Sequence, residues 1–200
     1  MATIEALRGQ KERPSRAFAL AVICTGYFMV ILDATVTNVA LPSIGRGLHG
    51  SVTGLQWVVD AYTLSFAALL LTGGALAERL GGRRMFALGL VVFGTASAAC
   101  GLAPTLGVLV AARFIQGAGA AALVPSSLIL LQAAFTDRQA RSRAFGLWGA
   151  IAGIGAASGP IVGGVLISVW SWWRGLVRGG PVDRTRARGA SAGGRRFVQS

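Results

Sequence analysis

Apolar residues fill five stretches of the chain, at 17–40, 55–77, 85–102, 106–131 and 147–169, and the pattern stops after 169. A membrane-spanning helix needs roughly 20 mostly apolar residues, and each stretch meets or approaches that length. The pattern therefore predicts an all-α, multi-pass membrane protein with five transmembrane helices across 17–169. A polar segment at 1–16 precedes them, and no stretch is left over for a soluble domain. Every span carries Gly and Ala, the residues that let helix backbones approach closely in lipid.

Composition supports this reading. Only 13% of the residues are charged, against about 25% in a soluble domain, so most of the surface is not built to meet water. The first span follows a basic segment, as a secretory signal does. It is too long for one, contains Asp33 and lacks a small-residue cleavage pattern. Cys24 and Cys100 fall inside spans and are expected to be free thiols. The lone histidine, His49, leaves no metal cluster and no Ser/His/Asp set, which argues against an enzyme and against a bound metal.

The distribution of charge sets an orientation. Arg8, Lys11, Arg13 and Arg16 precede the first span, Arg79, Arg83 and Arg84 join the second to the third, and Arg138, Arg141 and Arg143 join the fourth to the fifth. The alternate connections hold Arg46 and nothing basic between Leu102 and Leu106. The positive-inside rule then puts the N-terminus in the cytoplasm and the chain in the cell membrane. An odd number of spans would place the tail outside. Yet 170–200 holds Arg174, Arg178, Arg184, Arg186, Arg188, Arg195 and Arg196 against Asp183. Without interleaved aromatic residues or a folding pattern, this run does not point to a nucleic-acid partner.

Four local patterns carry the candidate chemistry. In the first span, Leu32-Asp33-Ala34-Thr35-Val36-Thr37-Asn38-Val39-Ala40-Leu41-Pro42 places a carboxylate at membrane depth. An ionisable group there costs a few kcal/mol to insert, which marks it for function; the alternative is a protonated acid that only ties helices together. Thr37, one turn along, is on the right face to hydrogen-bond Asp33. Between the second and third spans, Gly73-Gly74-Ala75-Leu76-Ala77-Glu78-Arg79-Leu80-Gly81-Gly82-Arg83-Arg84 predicts a tight basic turn. Gly81 and Gly82 would supply unusual backbone angles, while Glu78 and Arg79 could cap helix ends or pair with neighbouring helices.

In the fourth span, Arg113, Gln116 and Gly117 of Arg113-Phe114-Ile115-Gln116-Gly117-Ala118-Gly119-Ala120-Ala121 share one face. An arginine at that depth is expected to line a cavity or pair with an acid. In the fifth, Gly155, Gly159 and Gly163 recur every four residues beside Pro160 and Gly164. They make a smooth groove for close helix contact, and Pro160 removes one helical hydrogen bond. A structural groove and a hinge need the same features.

Together these patterns resemble the major facilitator superfamily, in its fourteen-helix drug/proton antiporter branch. The run from Leu32 to Pro42, with Thr37 and Asn38, looks like that branch's helix 1 signature. Gly74, Glu78, Arg79, Gly81, Arg83 and Arg84 resemble the loop 2–3 gating motif, departing from it at Glu78, where aspartate is usual, and at Gly82, where a basic residue is common. Arg113 matches the helix 4 arginine linked to proton coupling, and Gly159-Pro160 matches the helix 5 antiporter motif.

The resemblance implies secondary transport by inverted three-helix repeats rocking about a central site. It implies efflux of a small amphipathic or hydrophobic substrate, driven by a proton gradient and needing no cofactor. Asp33 and Arg113 become the coupling pair, expected to lie close together. The turn at 74–84 would latch the cytoplasmic side, and 147–164 would bend and slide.

The family pattern continues beyond Trp172 with a sixth helix. Here Arg174-Gly175 follow, a composition that a GC-rich gene yields in a shifted frame. The tail is accordingly expected to be disordered or frameshifted, and the chain inactive alone, with the missing C-terminal portion as a partner. A small accessory membrane protein packing through Gly-rich helices is the alternative reading. A nutrient importer is disfavoured by the Gly-Pro groove.

Overall fold

A computed structural model describes residues 2–48 and 50–177, with side chains for 16–48 and 50–165. His49 and the tail beyond Val177 lie outside the described residues. Each of the five apolar stretches is a helix: α1 Ala2–Leu48, α2 Val52–Leu80, α3 Gly82–Gly101, α4 Leu106–Ala134 and α5 Arg138–Val177. All five are long and apolar enough to cross a bilayer. Several boundaries differ from the sequence reading: α1 ends at Leu48 instead of 40, and α5 starts at Arg138 instead of 147. The backbone of α1 continues through 2–16 without a break, and α5 runs past 169 to Val177. Once a helix is started, each added residue gains a hydrogen bond for little further ordering, so helices outrun the apolar stretch that anchors them. The chain divides into two compact units, 1–163 and 164–200. The first holds α1–α4 and most of α5, the second the last turns of α5.

The connections are short and each is closed by a local device. Ser51 accepts from Gly54 N–H at 3.2 Å to start α2, Thr105 from Val108 N–H at 3.4 Å to start α4, and Asp137 from Ala140 N–H at 2.8 Å to start α5. Each satisfies an orphan donor of a first helical turn. Arg141 Nε donates to the Phe135 carbonyl at 2.8 Å and Nη2 to Thr136 at 3.3 Å, which covers the end of α4. The α2–α3 connection is a single residue, Gly81, with φ +92° and ψ 130°. A side chain resists that conformation, so Gly81→Ala should lower stability by roughly 1–2 kcal/mol, read as an earlier detergent-unfolding midpoint. An unchanged midpoint would show that the turn relaxes without strain. Gly82 does not share this role. Its backbone is ordinary, and it is small because a Cβ there would stand 3.1 Å from Ile129 of α4.

Helix α4 is the centre of the bundle. Glycine lets its neighbours come close: a Cβ on Gly117 would overlap Ser65 and the Tyr62 carbonyl of α2, and one on Gly119 would stand 2.7 Å from the Phe93 nitrogen of α3. Pro125 lies inside α4 and has no N–H for the carbonyl four residues back, Ala121. Gly73 of α2 packs directly on that carbonyl. The proline thus removes one helical hydrogen bond at Ala121, and the glycine beside it lets α2 approach that carbonyl closely. Around this centre Val30, Tyr62, Phe86, Phe93, Ala120 and Leu123 form the main apolar cluster. Large apolar side chains also cover the outside: Leu71 is 85% exposed, Ile161 71% and Val91 64%. That outer surface suits acyl chains, not water, so this is a multi-pass membrane protein.

Candidate functional site

Asp33 and Arg113 meet inside the bundle. Arg113 Nη1 donates to Asp33 Oδ2 at 2.5 Å, in an ion pair whose side chains are 3% exposed for Arg113 and 19% for Asp33. Their juxtaposition depends on α1 and α4 crossing at these two turns. Arg113 has three further partners: Nε donates to the Val58 carbonyl at 3.2 Å, Nη1 also donates to Gln116 Oε1 at 2.9 Å, and the guanidinium carbon lies 4.3 Å from the Tyr62 ring centroid. Taking a guanidinium out of water costs several kcal/mol, which is offset only when its donors and charge are both matched. Here a carboxylate, a carbonyl, an amide and an aromatic face together do so.

The second oxygen of Asp33 is also occupied. Gln116 Nε2 donates to Oδ1 at 2.8 Å, and Gln116 Oε1 lies 3.5 Å from the Cys100 thiol of α3. The resulting network joins α1, α2, α3 and α4. No buried side-chain nitrogen or oxygen among the described residues is left without a hydrogen bond. Cys24 and Cys100 are both free thiols.

Two expectations need correction, the Thr37 contact and the roles of Glu78 and Arg79. Thr37 makes no hydrogen bond to Asp33 among the described residues; both carboxylate oxygens are taken by α4, and Gln116 fills the place expected for Thr37. Asn38 and Pro42 are exposed and stand outside the network. At the α2–α3 turn Glu78, Arg79, Arg83 and Arg84 are exposed, and neither Glu78 nor Arg79 caps a helix or pairs with a neighbour among the described residues. Their long side chains extend from the end of the bundle, where water competes for every contact. Gly74 sits beside Pro125, at 3.6 Å from a would-be Cβ.

The glycines of α5 are placed against α1. Gly155 faces Ile31, Gly159 faces Thr35, and Gly163 faces Val39, so residues at four-residue spacing on one helix seat residues at four-residue spacing on the other. A Cβ at Gly159 would overlap the Thr35 hydroxyl, which instead donates to the Leu32 carbonyl at 2.9 Å. Asp33, two residues before Thr35, is on the opposite side of α1. One turn of α1 therefore touches the α5 groove on one face and the α4 network on the other. Nearby, Tyr27 of α1 stacks on Trp148 of α5 at 3.9 Å, and Trp148 Nε1 donates to Ser127 Oγ of α4 at 3.2 Å. Pro160 is exposed and Gly164 belongs to the second unit.

Sequence reasoning put Gln116 on the Arg113 face without giving it a role, read Cys100 as a free thiol with no place in the site, and passed over Tyr62 and Asp60. The one-turn spacing from Arg113 to Gln116 was a usable signal; the approach of Tyr62 and Cys100 from other helices was not. Asp60 is a second acid within a span, half-buried in α2, and its carboxylate makes no hydrogen bond or ion pair among the described residues.

Comparison with known proteins gives this arrangement a context. The chain is 48% identical over 153 residues to the methylenomycin A resistance protein of Bacillus subtilis (strain 168), covering 76% of this chain and 33% of that protein. It is 46% identical over 169 residues to the puromycin resistance protein pur8 of Streptomyces alboniger, covering 84% and 34%. To the cephamycin export protein CmcT of Amycolatopsis lactamdurans it is 45% identical over 165 residues, covering 82% and 34%. The chain thus spans about a third of the length of the curated relatives it matches, and these are named for drug resistance or export, not for an enzymatic reaction. A sequence profile described as the Major Facilitator Superfamily matches residues 23–177, which takes in the ion pair, the one-residue turn and the glycine groove, and the chain belongs to that superfamily.

Proposed function

We propose that this chain belongs to a proton-coupled efflux antiporter for small amphipathic or hydrophobic compounds, energised by the proton gradient, with its N-terminus in the cytoplasm. The observation that carries the reading is the buried Asp33–Arg113 pair. A carboxylate partly open to its surroundings and held by a permanently charged guanidinium can take up a proton, and doing so changes the charge between two helices that must move. The names of the relatives, resistance and export proteins for antibiotics, support an outward small-molecule cargo. The orientation rests on arginine. The turns holding Arg79, Arg83 and Arg84 and holding Arg138, Arg141 and Arg143 are at one end of the antiparallel helices, and the α1–α2 and α3–α4 turns at the other end carry Arg46 alone among the described residues. The turn at 74–84 would act as the cytoplasmic latch, and the α5 groove as the surface on which α1 slides.

Everted membrane vesicles containing the chain, energised with an inward-acid gradient, test this directly. Expected is accumulation of a lipophilic dye that an uncoupler abolishes and that falls at least about tenfold in Asp33→Asn, since the carboxamide cannot exchange the proton. Accumulation that survives both treatments would sink the reading. An accessory role is the second reading, favoured by one observation: Gly146, Gly149 and Gly153 of α5 have open space where a Cβ would go, which leaves a small-residue face free to pack on another helix. Co-purification with a larger membrane protein, without dye transport, would support it.

A further inference from the structure

Both oxygens of Asp33 face N–H donors, Arg113 Nη1 on Oδ2 and Gln116 Nε2 on Oδ1. A proton landing on either oxygen would point at another proton, so the clamp cannot hold the acid as it holds the carboxylate. The two donors differ in how they can respond. A guanidinium has five N–H groups and no acceptor, and can only withdraw. A carboxamide carries a donor and an acceptor on the same carbon, and a half-turn about its last torsion exchanges them. Gln116 is completely buried, at 0% exposure, so its carboxamide can trade partners only among the protein groups around it.

We propose that the Gln116 carboxamide registers the protonation state of Asp33, donating through Nε2 to the carboxylate and turning over to accept through Oε1 from the acid. This rests on Asp33 being the proton-exchanging group of the proposed antiporter. The step adds one proton, from water reached through the partly exposed face of Asp33, and takes the Asp33–Arg113 pair from neutral to one positive charge. The turn removes Oε1 from Arg113 Nη1 and from the Cys100 thiol, which it meets at 2.9 and 3.5 Å. Arg113 is not stranded, because the Val58 carbonyl and the Tyr62 ring still hold it. Its charge, however, has lost its counterion and one acceptor together. The contact between α1 and α4 is thereby weakened at its polar centre, while the α5 groove on the other face of α1 is untouched.

The groups facing this site are few. Arg113 comes from α4, Tyr62 from α2 and Cys100 from α3, while α5 meets this turn of α1, on its other face, through Gly155 and Gly159. Asp60 of α2 makes no bond to any of them.

Infrared difference spectroscopy of the full chain in lipid nanodiscs, titrated from neutral to acidic pH, tests the proposal. The Asp33 carboxyl band is identified by its loss in Asp33→Asn, and the Gln116 amide bands by their loss in Gln116→Leu. In the wild type both sets should change with one midpoint. In Gln116→Leu the Asp33 carbonyl band should move to higher wavenumber, because the acid has lost the acceptor that the turned carboxamide supplies. Gln116→Met, closer to glutamine in shape, gives the same reading if the leucine variant does not fold. Amide bands that ignore pH, or an Asp33 carbonyl band unmoved in the leucine or methionine variant, would overturn the proposal. Failure of the transport reading is separate: it would appear as dye accumulation that persists in Asp33→Asn, whatever the spectra show.

Discussion

Replacing Arg113 with alanine is expected to cost about 3–5 kcal/mol of bundle stability, the range for removing one partner of a buried ion pair. The loss comes mostly from what remains. Asp33 would be left with Gln116 as its one remaining partner in the network, and the Val58 carbonyl and Gln116 Oε1 would lose the Arg113 donors that now reach them. Unfolding in detergent, followed by tryptophan fluorescence or helicity, measures it. Adding Asp33→Asn to the alanine variant should restore about half of the loss, because no unpaired charge then remains buried. A single-variant cost below about 1 kcal/mol would mean that water reaches the pair freely and that the enclosure described above is wrong. So would a double variant no better than the single one.

The second large effect is a contrast between glycines of the same helix. Gly159→Ala should destabilise by about 1–3 kcal/mol, the usual penalty for overpacking, because the new methyl group would occupy the place of the Thr35 hydroxyl and push α1 from α5. Gly153→Ala, six residues earlier in α5, meets nothing within 4 Å. It should be neutral or gain up to about 1 kcal/mol from better helix propensity. Differential unfolding of the two variants in the same detergent decides the matter. Equal effects would show that the groove is not where α1 docks. Gly117→Ala should behave like Gly159→Ala, since its methyl group would meet the Tyr62 carbonyl and separate α2 from α4.

Much of the site could be read from the chain, residue by residue. Asp33 and Arg113 stood out because charges within an apolar run are costly and must be matched, and each was the conspicuous charge of its span. The Gly155, Gly159 and Gly163 spacing announced a helix-packing groove for the same kind of reason: small residues one turn apart have few other uses in lipid. Gly81 was foreseen correctly as a turn residue, whereas Gly82 was assigned the same role and turned out to be a packing residue under Ile129. Both are glycine, and the chain does not say which of two adjacent glycines carries the unusual φ. Thr37 was given the contact that belongs to Gln116. From α1 alone, the nearest hydroxyl on the Asp33 face is the natural partner; the amide that displaces it arrives from a residue 83 positions away.

What the sequence determined by itself is the set of spans, the presence of buried charge and the places where backbones could come close. The bilayer imposes these locally, through the length of hydrocarbon to be crossed and the need to satisfy each backbone group within its own helix. What only the tertiary structure decided is which face of each helix meets which neighbour. In lipid, apolar side chains gain nothing by turning inward, so the choice falls to shape and hydrogen bonding between helices. Gly117 and Gly119 fix the rotation of α4 between α2 and α3, and that rotation carries Arg113 and Gln116 together onto the two oxygens of Asp33.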